Sequence, residues 1–240
     1  MRYTIYSLVG SIIIGYCLGC INFSYIVSKI KGFDIRKYGS GNAGASNVII
    51  VLGKKAGIFV ALFDIFKAYL AVTIAGVIFP NAVVSGFNYA AVMAGVSSII
   101  GHIAPFYMGF KGGKGLATLG GTILGLDARM MLFLLIVAVV IAVATDYICF
   151  VPVTMVVAVP ALYGYKHGSS IPLLIFLPVI LLMWYRHVEN FKRIRVGKEL
   201  RFHFLWDRRS ESERLGVADD GKAVFESEVD EKYHMNKGLK

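Results

Sequence analysis

The feature that most constrains this 240-residue chain is where its charges are missing. Residues 1–185 carry 12 Lys/Arg and 4 Asp/Glu, whereas residues 186–240 carry 13 and 11. A soluble domain spreads charge over its surface. A stretch of 185 residues almost without charge, in a chain that is 57% apolar with mean hydropathy +0.67, excludes a soluble globule and a disordered chain alike. The formal net charge of +10 is not gathered on one face, so it gives no argument for a nucleic-acid partner. The expectation is an all-α polytopic membrane protein, with a membrane domain over 1–205 and a polar cytoplasmic tail over 206–240 whose mixed charge favours a solvated, partly disordered state.

Apolar segments recur at about 3–30, 57–79, 87–104, 116–126, 130–145, 148–164 and 170–185, separated by Gly, Pro or charged breaks. They predict about seven helices. The segment 116–126 would be only ~16 Å long against a hydrocarbon core of roughly 30 Å, which leaves five to seven full crossings. Loop charge sets the orientation. Lys31, Arg36, Lys37, Lys54 and Lys55 lie in one loop, Lys111 and Lys114 in another, and Arg186, Lys192, Arg193 and Arg195 follow the last segment, while 80–86 carries no charge. The positive-inside rule places these basic segments in the cytoplasm, with the N-terminus outside and the C-terminus cytoplasmic. The first apolar stretch exceeds the core of a cleavable signal and reads as a retained helix. Cys17 and Cys20 fall inside it as small buried residues with no base to activate them.

Three polar motifs interrupt this apolar background. Gly39-Ser40-Gly41-Asn42-Ala43-Gly44-Ala45-Ser46-Asn47 packs glycines, hydroxyls and amides before an apolar turn. It reads either as a plain turn or as backbone N–H groups converging on an anion. Gly109-Phe110-Lys111-Gly112-Gly113-Lys114-Gly115, followed by Leu116-Ala117-Thr118, adds two cations at the start of a helix. It departs from the P-loop pattern at Met108 and Gly115, yet bare amides with a lysine at a helix N-terminus suit a phosphate; a simple positive-inside loop is the other reading. Arg186-His187-Val188-Glu189-Asn190-Phe191-Lys192-Arg193, if helical, sets His187, Asn190 and Arg193 on roughly one face, or else pairs with anionic headgroups. All three fall on one side of the membrane in this topology, which points to one site for anionic, phosphorylated ligands.

Asp64 and Lys67 lie one turn apart inside an apolar segment, where isolated charges are costly, so they pair with each other or face a polar cavity. Conventional catalysts are absent from the pattern. There is no GxSxG elbow, no HExxH, no Cys/His metal set and no His-x4-Asp, and His102 reads as a capping or packing residue.

Together the motifs resemble the bacterial membrane glycerol-3-phosphate acyltransferases that use acyl phosphate as donor, the PlsY type. The match runs from Gly19 to about Arg201. Its most specific parts are SGNxGA[ST]N at 40–47, GHxxPxxxxFKGGKGxAT at 101–118 and RHxENxKR with Gly197 and Glu199, and the Asp64/Lys67 pair fits the same pattern. The resemblance implies transfer of an acyl group from acyl phosphate to the 1-hydroxyl of glycerol 3-phosphate in a bacterial inner membrane. It implies no metal, no cofactor and no nucleic-acid partner beside those two substrates and membrane lipid. By the same resemblance Ser40, Gly41 and Asn42, with Gly112, Gly113 and Gly115, hold phosphate, and Lys114 neutralises it. His187 and Asn190 orient the acceptor, Ser46, Asn47, Lys111 and Thr118 line the site, and Asp64, Lys67, His102 and Lys54 support it. Ser40, Lys114 and His187 are the candidate catalytic set. The proton acceptor is a substrate phosphate oxygen or His187, and the acyl tail enters between helices from lipid. Two positions depart from the family: Ile50 replaces an arginine expected on substrate phosphate, with Lys54 one turn further on, and Asn22 replaces a proline. The competing readings are a diverged relative that is inactive or takes another phosphorylated acceptor, and a carrier for an anionic solute. Carriers place their sites near the midplane between repeats, and no repeat is evident here.

Overall fold

The structure, a computed structural model, describes residues 2–205, so the expected tail over 206–240 lies outside the described residues. The first apolar stretch is not one helix. It forms α1 (Arg2–Cys20) and α2 (Phe23–Ile30), broken at Ile21-Asn22. Buried Asn22 caps α2, its Oδ1 accepting from the Tyr25 N–H at 2.9 Å and its Nδ2 donating to the Ala43 carbonyl at 3.1 Å. An asparagine amide competes with the backbone for hydrogen bonds, so it ends a helix that apolar periodicity alone would continue. Asn22, where the resemblance leads one to expect proline, thus breaks the helix.

The expected 31–56 loop contains a 3-10 turn at Ile35–Lys37 and a further helix, α3 (Ala45–Leu52). After α4 (Lys54–Ile78), the uncharged connection is a small ribbon pairing Val83 with Asn88 and Val84 with Phe87. Ser85 and Gly86 turn it at φ 48° and 75°, the positive dihedrals a tight hairpin requires. The remaining helices are α5 (Tyr89–Ile103), α6 (Leu116–Leu126), α7 (Ala128–Thr145), α8 (Phe150–Lys166) and α9 (Ile171–Arg195). The last continues ten residues past the apolar segment ending at 185, so the third polar motif is helical.

Among the described residues five helical spans are long and apolar enough to cross a membrane, the first running through α1 and α2, and α6 and α8 are shorter, giving a multi-pass membrane protein. Contacts mark the two ends of the bundle. At one end Ser7 meets Tyr89 (2.8 Å) and Asp127 pairs with Lys166; at the other Lys114 meets Asn190 and the Phe202 N–H donates to the Asp146 carbonyl at 2.6 Å. Asp127 also caps α7, and its carboxyl is held below the usual range, chiefly by Lys166.

Two apolar clusters hold the chain. The larger joins α5 to α9 around Ile99, Leu119, Val156, Phe176 and Met183. The smaller gathers Phe33, Ile35, Val48, Val51, Val60 and Met108 into a platform under the motif end. Helix contacts at the centre use small residues. A Cβ on Gly15 would lie 2.1 Å from the Ala94 carbonyl oxygen, and one on Gly19 2.1 Å from that of Ser98, so α1 and α5 touch backbone to backbone. In contrast α7 turns Leu132, Phe133, Leu135, Ile136, Val139, Val140 and Val143 outward, a face suited to acyl chains. Cys20 is buried as expected, but Cys17 is exposed on the outer face of α1, because residues three apart diverge by about 60° on a helix and only one of them meets α5.

Candidate active site

The first motif is a loop closed by one side chain. Asn47, on the first turn of α3 and fully buried, donates from Nδ2 to the carbonyls of Ile35 (3.2 Å) and Tyr38 (3.0 Å). Its Oδ1 accepts from the Ser40 N–H at 2.8 Å. The Gly41 N–H donates to the Tyr38 carbonyl at 3.0 Å. Asn47 therefore shapes the loop. Ser40 and Ser46 are exposed, and Asn42 carries a buried Oδ1 with no hydrogen-bond partner among the described residues. Arg36 ties this loop to its neighbour, forking onto Asp34 (Nη2–Oδ2 2.8 Å), donating to the Met108 carbonyl at 2.7 Å and lying 5.1 Å from the Tyr25 ring centre. The guanidinium holds the Asp34 carboxyl below the ordinary carboxylate range.

The second motif folds back on the end of α5. The Gly112 N–H donates to the Ile103 carbonyl (2.9 Å) and the Gly113 N–H to that of His102 (3.1 Å), satisfying carbonyls that a helix end leaves open. The amides of Ser40, Gly41, Gly112 and Gly113 are thus engaged by protein, not bared toward a ligand as the composition suggests. Glycine is needed at these loop positions for approach: a Cβ on Gly112 would sit 2.1 Å from the His102 carbonyl oxygen. Gly115, at φ 92°, turns the chain into α6 and leaves Lys114 just before the helix N-terminus. Thr118 is fully buried in the first turn, its Oγ1 without a hydrogen-bond partner among the described residues, and Lys111 is exposed.

The third motif meets the second directly. Lys114 Nζ donates to Asn190 Oδ1, Asn190 Nδ2 donates to Glu199 Oε1, and Arg193 Nε donates to Glu199 Oε2 at 2.7 Å. Arg186 Nη2 donates to the Gly112 carbonyl at 3.0 Å, while its Nε is buried with no hydrogen-bond partner among the described residues. His187, buried on the same helix, hydrogen-bonds the Met183 carbonyl through Nδ1 at 2.7 Å. A carbonyl can only accept, so the proton is on Nδ1 and Nε2 keeps a lone pair. Burial pushes the Lys114 pKa down to about 8, Arg193 and Arg186 adding repulsion against the attraction of Glu199. An ammonium beside two guanidinium groups and a single carboxylate favours an incoming anion.

Below this mouth lies a second polar cluster, deep in the bundle. Asp64, Lys67 and His102 are all buried, with Lys67 Nζ 2.7 Å from Asp64 Oδ1 and 3.0 Å from His102 Nδ1. His102 is thus a member of a polar network, where its place at the end of an apolar run suggested capping or packing. Ile50 packs on the smaller apolar cluster, and Lys54 is exposed at the start of α4. Motif spacing assigned no role to Arg186 or Glu199. Arg186 stands one turn before Asn190, a signal the sequence carries. Glu199 arrives only because Gly197, at φ 70°, reverses the chain after α9.

Comparison with known proteins places this geometry. The family described as glycerol-3-phosphate acyltransferase matches residues 9–197. Glycerol-3-phosphate acyltransferase 1 of Oceanobacillus iheyensis is 39% identical over 201 residues, 83% of this chain and 94% of that protein. The glycerol-3-phosphate acyltransferase of Aquifex aeolicus is 35% identical over 196 residues, 80% of this chain and 97% of that protein. Among solved structures, the glycerol 3-phosphate form of PlsY (YgiH), an integral membrane glycerol 3-phosphate acyltransferase, superposes with TM-score 0.72 at 33% identity, covering 83% of this chain and 97% of that one. Its lysophosphatidic acid form gives 0.69 at 32%, covering 81% and 95%.

Proposed function

Because the chain belongs to the glycerol-3-phosphate acyltransferase family, we propose that it transfers a fatty acyl group from acyl phosphate to the 1-hydroxyl of glycerol 3-phosphate. The products are lysophosphatidic acid and inorganic phosphate. The carrying observation is Lys114, a half-buried ammonium joined to Asn190 between the second and third motifs, with Arg186 and Arg193 beside it. The forms in which the solved relative is described, with glycerol 3-phosphate and with lysophosphatidic acid, support the acceptor and the product.

Acyl phosphate is already activated, so the site must chiefly bring two anions together and align a hydroxyl. Lys114 and Arg186 offset the phosphate charge, and Ser40, Asn42 and Thr118 offer hydroxyl and amide groups to phosphate oxygens. Asn190, fixed by Glu199, orients Lys114. The acceptor hydroxyl oxygen attacks the acyl carbonyl carbon, the carbon–oxygen bond to phosphate breaks, and phosphate leaves. The hydroxyl proton passes to the Nε2 lone pair of His187 or to a phosphate oxygen of the substrate. The basic motif end faces the cytoplasm of a bacterial inner membrane, and the acyl tail reaches the site from lipid.

The test is an assay of the purified full-length protein with acyl phosphate and glycerol 3-phosphate, following phosphate release and lysophosphatidic acid. Product in both channels is the expected result. Absence of product, or product only from acyl-CoA, would overturn the donor. Ile50 favours one second reading, a different phosphorylated acceptor, because an apolar side chain sits where the family resemblance places a guanidinium. If so, Ile50→Arg raises turnover of glycerol 3-phosphate severalfold.

A further inference from the structure

We propose that Lys67 is a positioning residue for the second motif: by holding the His102 ring it fixes the wall on which Gly113 rests, and so sets where Lys114 stands. This rests on the reading above for its catalytic consequence only. The ammonium of Lys67 has three donors and three acceptors around it: Asp64 Oδ1 at 2.7 Å, the Ile21 carbonyl at 2.7 Å and His102 Nδ1 at 3.0 Å. These belong to α4, to the break between α1 and α2, and to the last turn of α5, so one side chain gathers three elements. An ammonium can only donate, so Nδ1 of His102 accepts and the ring proton is on Nε2. Asp64 Oδ1 lies 3.4 Å from the same Nδ1. An imidazole otherwise has a broad, nearly two-fold χ2, and Lys67 selects one of its two faces.

The far edge of that ring is the seat of the loop. A Cβ on Gly113 would lie 2.1 Å from His102 Nε2 and 3.0 Å from the Ala43 carbonyl oxygen. Gly113 is therefore lodged between the imidazole and the first motif, with its N–H on the His102 carbonyl. The next residue is Lys114, which reaches Asn190 on α9. A ring freed from Lys67 would let this loop drift, and Lys114 would lose its half-buried place among Arg186, Arg193 and Glu199.

The position of Lys114 can be read without turnover, from the pH dependence of its acetylation in the full-length protein, peptide by peptide, by mass spectrometry. In the native chain half-reaction is expected at about pH 8. The double variant Asp64→Asn/Lys67→Met removes both buried charges together, which spares the fold the cost of one left alone. With the fold retained, its Lys114 midpoint should move upward toward the ordinary 10.5 of a solvated lysine. His102→Ala, which deletes the wall directly, should do the same. A native midpoint in a folded double variant overturns the role of Lys67. Should that variant not fold, His102→Ala decides, and a native midpoint there overturns the proposal. A native chain that makes no lysophosphatidic acid would sink the reaction yet leave this measurement standing.

Discussion

Two lysines, one buried and one half-buried, divide this molecule. Lys67, inside the bundle, donates to the Ile21 carbonyl and His102 Nδ1 and forms an ion pair with Asp64, while Lys114, at the mouth, has Asn190 for a partner and two guanidinium groups and one carboxylate for neighbours. The first arrangement is closed and can only hold structure. The second has one carboxylate, Glu199, against two guanidinium groups, an excess of positive charge that a phosphate would relieve. A buried cation is thus not in itself a mark of chemistry; the test is whether its donors are already answered.

Breaking the closed cluster should give the largest effect. Asp64→Asn strands the Lys67 ammonium in a low-dielectric interior and is expected to lower stability by about 3–5 kcal/mol, read as a fall in unfolding midpoint in detergent. Most of that loss should return in Asp64→Asn/Lys67→Met. A single variant as stable as the native chain would remove the distinction between the two lysines.

At the mouth the outcome is reversed. Lys114→Ala should cost about 10²–10³-fold in kcat, roughly 2.7–4 kcal/mol of transition-state stabilisation, with little change in unfolding midpoint. Product formation surviving that substitution would contradict the role given to Lys114.

Titration sharpens the same contrast. With its pKa pushed down to about 8, Lys114 is charged below that pH and neutral above it. Since phosphate needs the charged form, kcat/KM should fall as pH rises through about 8, and Lys114→Arg should move that limb to higher pH. A profile flat to pH 10 would argue that the ammonium is dispensable. The smallest effect is expected from exposed Lys111: Lys111→Ala should change kcat/KM about twofold or less, as for a surface charge.

Much of this was legible in the residues. Apolar segments located every long helix, because the energy of placing side chains in hydrocarbon depends on composition, and the three polar motifs stood out against that background. The break at Asn22 was hidden, since a single amide is outweighed by its apolar neighbours in any periodicity. Helix α3 does not stand out in the residues because only eight of them separate its glycine caps. Helical spacing sets Arg186 on the face of Asn190, but its partner Gly112 lies 74 residues away, and Glu199 meets Asn190 nine residues on only after the chain reverses.

The chain by itself determined that this is a membrane bundle with three polar motifs and a family signature, because hydropathy and motif spacing are local properties of residues. Only the tertiary structure decided that the amides of Gly41, Gly112 and Gly113 close on protein carbonyls, and that Lys67 pairs with a carboxylate while Lys114 stands beside two guanidinium groups. Hydrogen-bond satisfaction belongs to pairs of groups, and those pairs exist only after distant helices have packed.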